Sequence, residues 1–182
     1  MTANSPISVL DEGTPLDFSF EEMLRYSGPG SPAGVALAYQ AMRCAFGLLE
    51  AASPLERREI TVETAFRGPG ARDGFELVTR GLTEGRYVVD PSLERSSLGR
   101  TLEAFVFRLT YRHRVVTLLG REGIVTDEFI SLARRDDRSA EDERHFKALK
   151  GDHAKRLLIG PADEVFDAHT DTHTDLAQDS RS

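Results

Sequence analysis

The sequence predicts a single α+β domain, with a mixed or antiparallel sheet packed against a long central helix and a helical extension at the C-terminus. Apolar residues at helical spacing fill residues 35–52 without a proline, and they predict the central helix. β-Branched and aromatic residues alternate at Ile60–Thr64 and at residues 105–111, and they predict strands. Because helices and strands alternate only in part, α+β is favoured over a doubly wound sheet. With 182 residues, 40% of them hydrophobic, the chain can build one core.

The N-terminal region begins with an expected flexible arm. Residues 1–17 mix Pro, Gly, Asp and Thr without a hydrophobic period. Ser19 and Glu22 then form a capping-box pattern, which predicts a short helix that ends near Tyr26. The ordered core is therefore expected to begin at about residue 18, ahead of the central helix.

The middle of the chain predicts, in order, a helical turn, a strand, a helix, a short strand and a hairpin or pair of strands. Residues 53–56 indicate a single helical turn with proline at its first position. The strand Ile60–Thr64 precedes a helix from about residue 71 to 82 and a short strand at Tyr87–Val89. Alternation across residues 105–119 then predicts a β-hairpin or two adjoining strands.

The C-terminal third is richer in charge. A helix is expected from residue 126 to about 135, and a solvent-facing helix with a sparse apolar stripe from 139 to 158. The core is expected to end at residue 160, and residues 161–182 to form a disordered tail because they lack apolar periodicity. Within that tail, His169, Asp171 and His173 form a chelating pattern, which predicts weak adventitious metal binding.

Composition excludes several classes of protein. The net charge of -7, with no Lys/Arg run, argues against a general nucleic-acid binder. No apolar run approaches the roughly 20 residues of a membrane span. The N-terminus lacks the features of a signal peptide, so we expect a cytoplasmic protein. Cys44 is the single cysteine, which excludes an intramolecular disulfide framework and a Cys-based zinc cage.

A repeated pattern marks the expected functional site. An aromatic residue, one residue, Gly-Pro-Gly, three residues and Gly occur in this order at residues 26–34 and again at 66–74. Glycine lets backbone approach a ligand and proline fixes φ, so each stretch predicts a stiff loop without bulky side chains. Because both precede predicted helices, the two loops are expected to share one site.

The residues around these loops suggest binding of an anion. Helix N-termini carry free N–H groups and a partial positive charge, and Arg67 and Arg72 flank the second one. Ser27 and Ser31 could add hydroxyl donors, and Tyr39 could line the same pocket. A simpler interpretation is also open, in which these arginines are solvated or pair with Asp73, and Ser31 only caps its helix.

Two carboxylates are candidates for acid/base chemistry. Glu63 lies at the end of a predicted strand, and Asp73 lies at a junction between loop and helix. Asp73 could instead act as a helix cap, and Glu63 could face water from a half-exposed strand. Whether the two side chains meet in one pocket is left open by the sequence.

Several segments resemble the formylmethanofuran dehydrogenase family of E-type subunits, over about residues 20 to 135. The resemblance is carried by residues 28–39, by Ile60–Thr64 with its following loop and helix, and by residues 104–108. The family has a His-Gly-His-x-Cys-Pro-Gly motif that opens a long helix. The resemblance implies an α+β fold, a homodimer and a pocket where the two loops meet.

The ligand residues of that family are replaced in this chain. Where the motif has two histidines and a cysteine, Ser27, Pro29 and Ser31 stand here. The family's later cysteines correspond to regions that read Phe66-Arg67-Gly68 and Thr79-Arg80-Gly81-Leu82-Thr83. Since thiolate and imidazole donors are missing, we expect no metal and no cofactor.

Three classes of function follow from the sequence. The first is a metal-free lyase, isomerase or cyclase that acts on a small anionic or carbonyl-containing metabolite, with Glu63 or Asp73 as general base. The second is a non-catalytic protein that binds a metabolite, or an accessory component of a larger oxidoreductase. The third is a purely structural partner of such an enzyme. Substrate, reaction and pathway are not readable from the sequence.

Overall fold

A computed structural model describes residues 5–50 and 52–172 of the chain, and within them the fold is α+β. The strands are β1 Ile7–Asp11, β2 Thr14–Phe18, β3 Leu55–Glu56, β4 Ile60–Thr64, β5 Tyr87–Val89, β6 Val106–Tyr111, β7 Arg114–Gly120 and β8 Phe166–Thr172. The helices are α1 Phe20–Ser27, α2 Pro32–Leu49, α3 Pro69–Thr79, α4 Gly99–Leu102, α5 Asp127–Arg134, α6 Ala140–Ile159 and α7 Ala162–Val165. Among these helices, none has both the length and the apolar content to cross a membrane.

The expected flexible arm is corrected by the structure, since residues 7–18 form a β-hairpin. β1 and β2 pair antiparallel, and β1 also pairs parallel with β3 in a three-stranded sheet. Glu12 and Gly13 form the turn, both with positive φ (52° and 79°). This backbone is that of a tight hairpin turn, which usually carries Asn-Gly or Asp-Gly, so Glu-Gly gives a weak sequence signal. The expected helical turn at residues 53–56 is likewise replaced by β3 and a 3₁₀ turn at Arg57–Glu59.

The second sheet has five strands in the order β5-β4-β6-β7-β8. β4 runs parallel to β5, whereas the other neighbouring pairs are antiparallel, so the sheet is mixed. One face carries a buried row, in which Val62 lies beside Leu109 and Leu109 beside Val116. The opposite face carries a polar row in the order Glu63, Arg108, Thr117, His169.

α2 is the central helix and packs between the five-stranded sheet and the other helices. Most of its alanines are fully buried, together with Val35 and Met42. Gln40 is also fully buried, and its amide donates hydrogen bonds to the carbonyls of Leu157 and Gly160 (3.0 Å to the latter). These bonds satisfy carbonyls at the C-terminal end of α6 and hold α6 against α2. α6 is therefore only partly solvent-facing.

The C-terminal segment also departs from the expected disorder. Residues 162–165 form α7, and β8 pairs antiparallel with β7 along its whole length, from Phe166 opposite Gly120 to Thr172 opposite Arg114. Phe166 is 1% exposed and packs edge-to-face on Phe107. Apart from Ala168, the rest of β8 is polar, as is common on an edge strand, and this explains the missing apolar period. Residues 173–182 of the predicted tail, with His173, lie outside the described residues.

Candidate functional site

The two Gly-Pro-Gly stretches open their helices in different ways. α2 begins at Pro32, after the first Gly-Pro-Gly, whereas α3 begins at Pro69, inside the second. Both helices therefore have proline in the first turn, and neither Ser31 nor Gly68 provides a side-chain cap. The first-turn N–H groups of a helix lack intrahelical partners, so both helix starts present donors and a partial positive charge.

The two helix starts are in close contact. A Cβ added to Gly70 would lie 2.4 Å from the Ser31 carbonyl oxygen and 3.0 Å from the Val35 nitrogen. A Cβ on Gly34 would lie 3.0 Å from the nitrogen of Ala71. Because these neighbours are backbone atoms, which cannot move away cheaply, glycine is what allows α2 and α3 to begin side by side.

A cavity of about 520 Å³ opens beside these helix starts. Its volume lies within the range of small-molecule sites, roughly 300–1,000 Å³. The loop before α3, the segment before β6, α5 and α6 complete its walls. The lining residues are Ser31, Ala33, Gly34, Ala65, Phe66, Arg67, Gly68, Pro69, Gly70, Glu94, Thr101, Ala104, Phe105, Phe129, Ile130, Ala133, Arg134, Phe146 and Lys150.

Two aromatic pairs form much of the apolar wall. Phe66 and Phe105 have ring centroids 4.9 Å apart on the side of the sheet. Phe129 on α5 and Phe146 on α6 are 5.2 Å apart in an edge-to-face arrangement. Four rings around one space favour a flat apolar ligand, since aromatic faces and edges pack well against planar groups.

Charged groups gather at the rim of the cavity. Lys150 donates from Nζ to the Gly30 carbonyl at 2.8 Å, and the same Nζ lies 4.7 Å from the ring centre of Phe146. Arg134 donates to the Arg100 carbonyl at 2.8 Å and pairs with Glu103 at 3.7 Å. Arg67 is exposed and makes no ion pair with another described residue. With Glu94, the lining holds three cationic side chains and one carboxylate; because Arg134 is paired with Glu103, the cations left for a ligand are Lys150 and Arg67, on a chain of net charge -7.

Of the residues proposed from sequence, Ser31 and Arg67 line this cavity. A second group lies outside its lining. Ser27 Oγ donates to Asp73 Oδ2 at 2.9 Å, and the neighbouring Arg72 pairs with Asp73 Oδ1 at 2.9 Å. These contacts tie the end of α1 to α3, so Asp73 is committed to a structural link between the two loops.

Glu63 is separated from that region by the sheet. It faces the polar side of β4, where Arg108 donates to both of its carboxylate oxygens at 2.7 and 2.8 Å. This bidentate pair, together with the negative charge of Glu63, raises the pKa of Arg108. Glu63 and Asp73 therefore do not meet in the cavity, whose described lining includes neither.

Tyr39 is likewise corrected from a pocket residue to a core residue. Its side chain is fully buried on α2, and its hydroxyl donates to the Ser5 carbonyl at 2.6 Å. Burial raises the pKa of this phenol. The cavity lies beside the first turn of α2, near Ser31. Tyr39 lies about two turns further along this helix.

His153 is a residue whose role sequence reasoning misses. It is 5% exposed, and its Nε2 bonds the Ile124 carbonyl at 2.6 Å while Nδ1 accepts from Arg156 at 3.0 Å. Because a carbonyl can only accept, the proton belongs on Nε2. The ring stacks on Phe129 of the cavity wall, with centroids 4.8 Å apart. Burial and the charge of Arg156 lower the pKa of His153. The spacing of Phe146, His153 and Leu157 at i, i+7 and i+11 could have placed it on the buried face.

No group of three or more His, Cys, Asp or Glu side chains is placed to hold a metal ion in the part of the chain that the structure describes. His169 and Asp171 are exposed on β8. Neither a protein-family model nor a curated protein matches the chain, so the geometry alone carries the functional argument.

Proposed function

We propose that this protein binds a small organic anion with a flat apolar body, such as an aromatic carboxylate, in the cavity beside the starts of α2 and α3. The observation that carries the proposal is the combination of aromatic walls, two helix starts without side-chain caps and a cationic rim around about 520 Å³. The apolar body of the ligand is held between the two phenylalanine pairs. Its carboxylate is held by Lys150 and Arg67 at the rim.

Electrostatics favour an anion at this place. N–H groups and the partial positive charge at a helix start attract carboxylates and phosphates, and two starts lie together here. Lys150 has two further ammonium protons after its bond to Gly30. Its ammonium is close to the Phe146 ring, so the cation already lies where apolar surface and rim meet.

Among the classes of function left open by the sequence, ligand binding without catalysis is the one that this geometry supports best. Glu63 forms an ion pair with Arg108, and Asp73 accepts a hydrogen bond from Ser27 and forms an ion pair with Arg72. General base catalysis by either residue would require it to leave these partners and reach a cavity that it does not line. We therefore propose a metabolite-binding or accessory role ahead of a lyase or isomerase.

The family resemblance fits this proposal at one point. The stretch that resembles the family's His-Gly-His-x-Cys-Pro-Gly motif leads into the start of α2, where Ser31 lines the cavity. With serine and proline in place of the donor side chains, we propose that backbone N–H groups and cations hold the ligand. A homodimer, also implied by the resemblance, remains a proposal.

Isothermal titration calorimetry with benzoate tests the anion site. We expect Lys150→Met to weaken benzoate binding about tenfold or more, because a charge-assisted hydrogen bond is lost. Lys147→Met is the matched control, since Lys147 is exposed on the same helix and does not line the cavity. Benzamide, which has the same shape without charge, should bind more weakly than benzoate. Equal binding of benzoate by the parent and Lys150→Met would contradict the proposal.

A steric test does not depend on charge. Ala133 lies on α5 and lines the cavity from an exposed position, so Ala133→Trp fills the space without disturbing the core. We expect this variant to keep its melting temperature and to lose benzoate binding. Ser131→Trp, exposed on the same helix and outside the lining, should bind benzoate normally. Unchanged binding by Ala133→Trp would place the ligand elsewhere.

A further inference from the structure

The edges of the two sheets are protected very unequally. Four strands lie at edges within the described residues, namely β2 and β3 in one sheet and β5 and β8 in the other. β2 contains Pro15, β3 has two residues directly after Pro54, and β5 has three residues shortly before Pro91. Proline and short length are two usual means of blocking an edge, and charged side chains are a third. β8 has seven residues and no proline, and of these three means it has only the carboxylates of Asp167 and Asp171.

The side chains of β8 are those of a strand that can accept a neighbour. Asp167, His169 and Asp171 are exposed on the polar face of the sheet, and Ala168 and Thr170 alternate with them on the other face. Asp167 is already paired with Arg121 at 2.6 Å. His169 and Asp171 form no hydrogen bond or ion pair with another described residue, so the imidazole and the carboxylate are available for a partner.

We propose that β8 pairs antiparallel with β8 of a second copy of this chain, so that two five-stranded sheets join into one. A twofold axis through Thr170 places His169 opposite Asp171 of the partner subunit, and the reverse pair forms by symmetry. An imidazole N–H directly across a strand pair from a carboxylate can donate a hydrogen bond to it, which favours this register. An axis through His169 would instead place Asp167 opposite Asp171 and His169 opposite itself, so like groups would disfavour that longer register.

The opposite face of β8 borders an open groove. This groove of about 570 Å³ runs between α2, α7 and β8, and its lining combines Leu48 and Ala168 with the charged residues Arg43, Arg121 and Asp163. Leu48 is 42% exposed on α2. A second copy that extends the sheet at β8 would cover this groove as well as the free backbone groups of the edge. Cross-strand His–Asp pairs on one face and the partly apolar groove on the other thus favour the same partner.

Sedimentation equilibrium of the full chain tests this interface, and it does so independently of the ligand cavity. We expect a concentration-dependent dimer that His169→Asp weakens about tenfold, because two attractive pairs become repulsive. The double variant His169→Asp with Asp171→His should restore dimerisation, since the twofold axis only exchanges the two members of each pair. His113→Asp, exposed in the turn between β6 and β7, is the matched control and should leave the dimer unchanged.

A second variant covers the case in which His169→Asp does not fold. Thr170→Lys puts like charges opposite each other at the twofold axis, and we expect it to give a monomer with a parent-like melting temperature. A parent chain that is monomeric at every concentration overturns the proposal. So does a dimer that both variants leave intact, or a charge exchange that fails to restore association.

Discussion

His153 is the buried titratable side chain that most directly supports the cavity wall. Its ordinary pKa is 6.5, and burial with the charge of Arg156 lowers the pKa in the folded state. At pH values between the folded and the unfolded pKa of His153, the unfolded chain binds more protons than the folded chain. The contribution of His153 to stability is therefore fully present above about pH 6.5 and is lost as the pH falls below it. We expect the free energy of unfolding in urea to decrease from about pH 7.5 to 5.5, and benzoate binding to weaken as Phe129 loses its support.

The variant His153→Gln should abolish this pH step, because glutamine keeps a donor for the Ile124 carbonyl and has no proton to gain. His145→Gln is the control. His145 is exposed on the same helix, and its Nε2 lies 2.7 Å from Glu128 Oε1 and away from the cavity wall. If His153→Gln retains the full pH step, the titrating group is a different residue.

Tyr87 presents the opposite case of a buried group without a partner. Its hydroxyl makes no hydrogen bond with the described residues, and burial raises the pKa of Tyr87 to about 12. We expect Tyr87→Phe to raise the free energy of unfolding by about 1 kcal/mol, because an unsatisfied buried hydroxyl is removed. Tyr111→Phe, whose hydroxyl accepts from the Glu56 nitrogen at 3.3 Å, should instead lower it. Urea denaturation compares them, and a loss of stability in both would reveal a partner for Tyr87.

At the scale of elements, the contact between the starts of α2 and α3 is the feature on which the cavity depends. Gly70→Ala forces a Cβ to within 2.4 Å of the Ser31 carbonyl, and we expect a loss of about 1–3 kcal/mol together with weaker benzoate binding. Gly47→Ala is the control within α2, since its Cβ would meet nothing within 4 Å. It should stabilise the helix by about 0.5–1 kcal/mol. Equal stability of the two variants in thermal unfolding would mean that the helix starts can separate freely.

Elements with strong local signals can be predicted from the sequence, whereas those defined by their partners cannot. The bounds of β4 and the capping box at Ser19 agree with the prediction, because alternation and capping are local. α3 ends at Thr79, before the expected residue 82, since Arg80 adopts a left-handed conformation and Arg57 binds the carbonyls of Leu77 and Val78. β8 escapes prediction because an edge strand is specified by the strand beside it.

At the scale of the whole molecule, the sequence alone locates only part of the candidate site. The sequence places Ser31 and Arg67 near helix starts, which follows from the position of Gly and Pro. Alternation places Glu63 on the strand face opposite Val62, but whether Asp73 meets that face depends on how α3 packs against the sheet, which no local pattern gives. Phe129, Phe146 and Lys150 come from the C-terminal helices, and only tertiary packing brings them to the loops.

The same packing makes the C-terminal segment part of the fold and not an appendage. Phe166 fills the space next to Phe107, and β8 covers the edge of β7. We expect Phe166→Ala to cost about 3–5 kcal/mol, as large-to-small changes of buried aromatics do. Val88→Ala, on the exposed edge strand β5, is the control and should cost much less.

If the segment after α6 were dispensable, a chain ending at Gly160 would be as stable as the parent. We expect instead that this shortened chain melts at lower temperature and aggregates through the uncovered edge of β7. Thermal unfolding with light scattering measures both effects, and a parent-like melting temperature for the shortened chain would show that β8 does not stabilise the sheet.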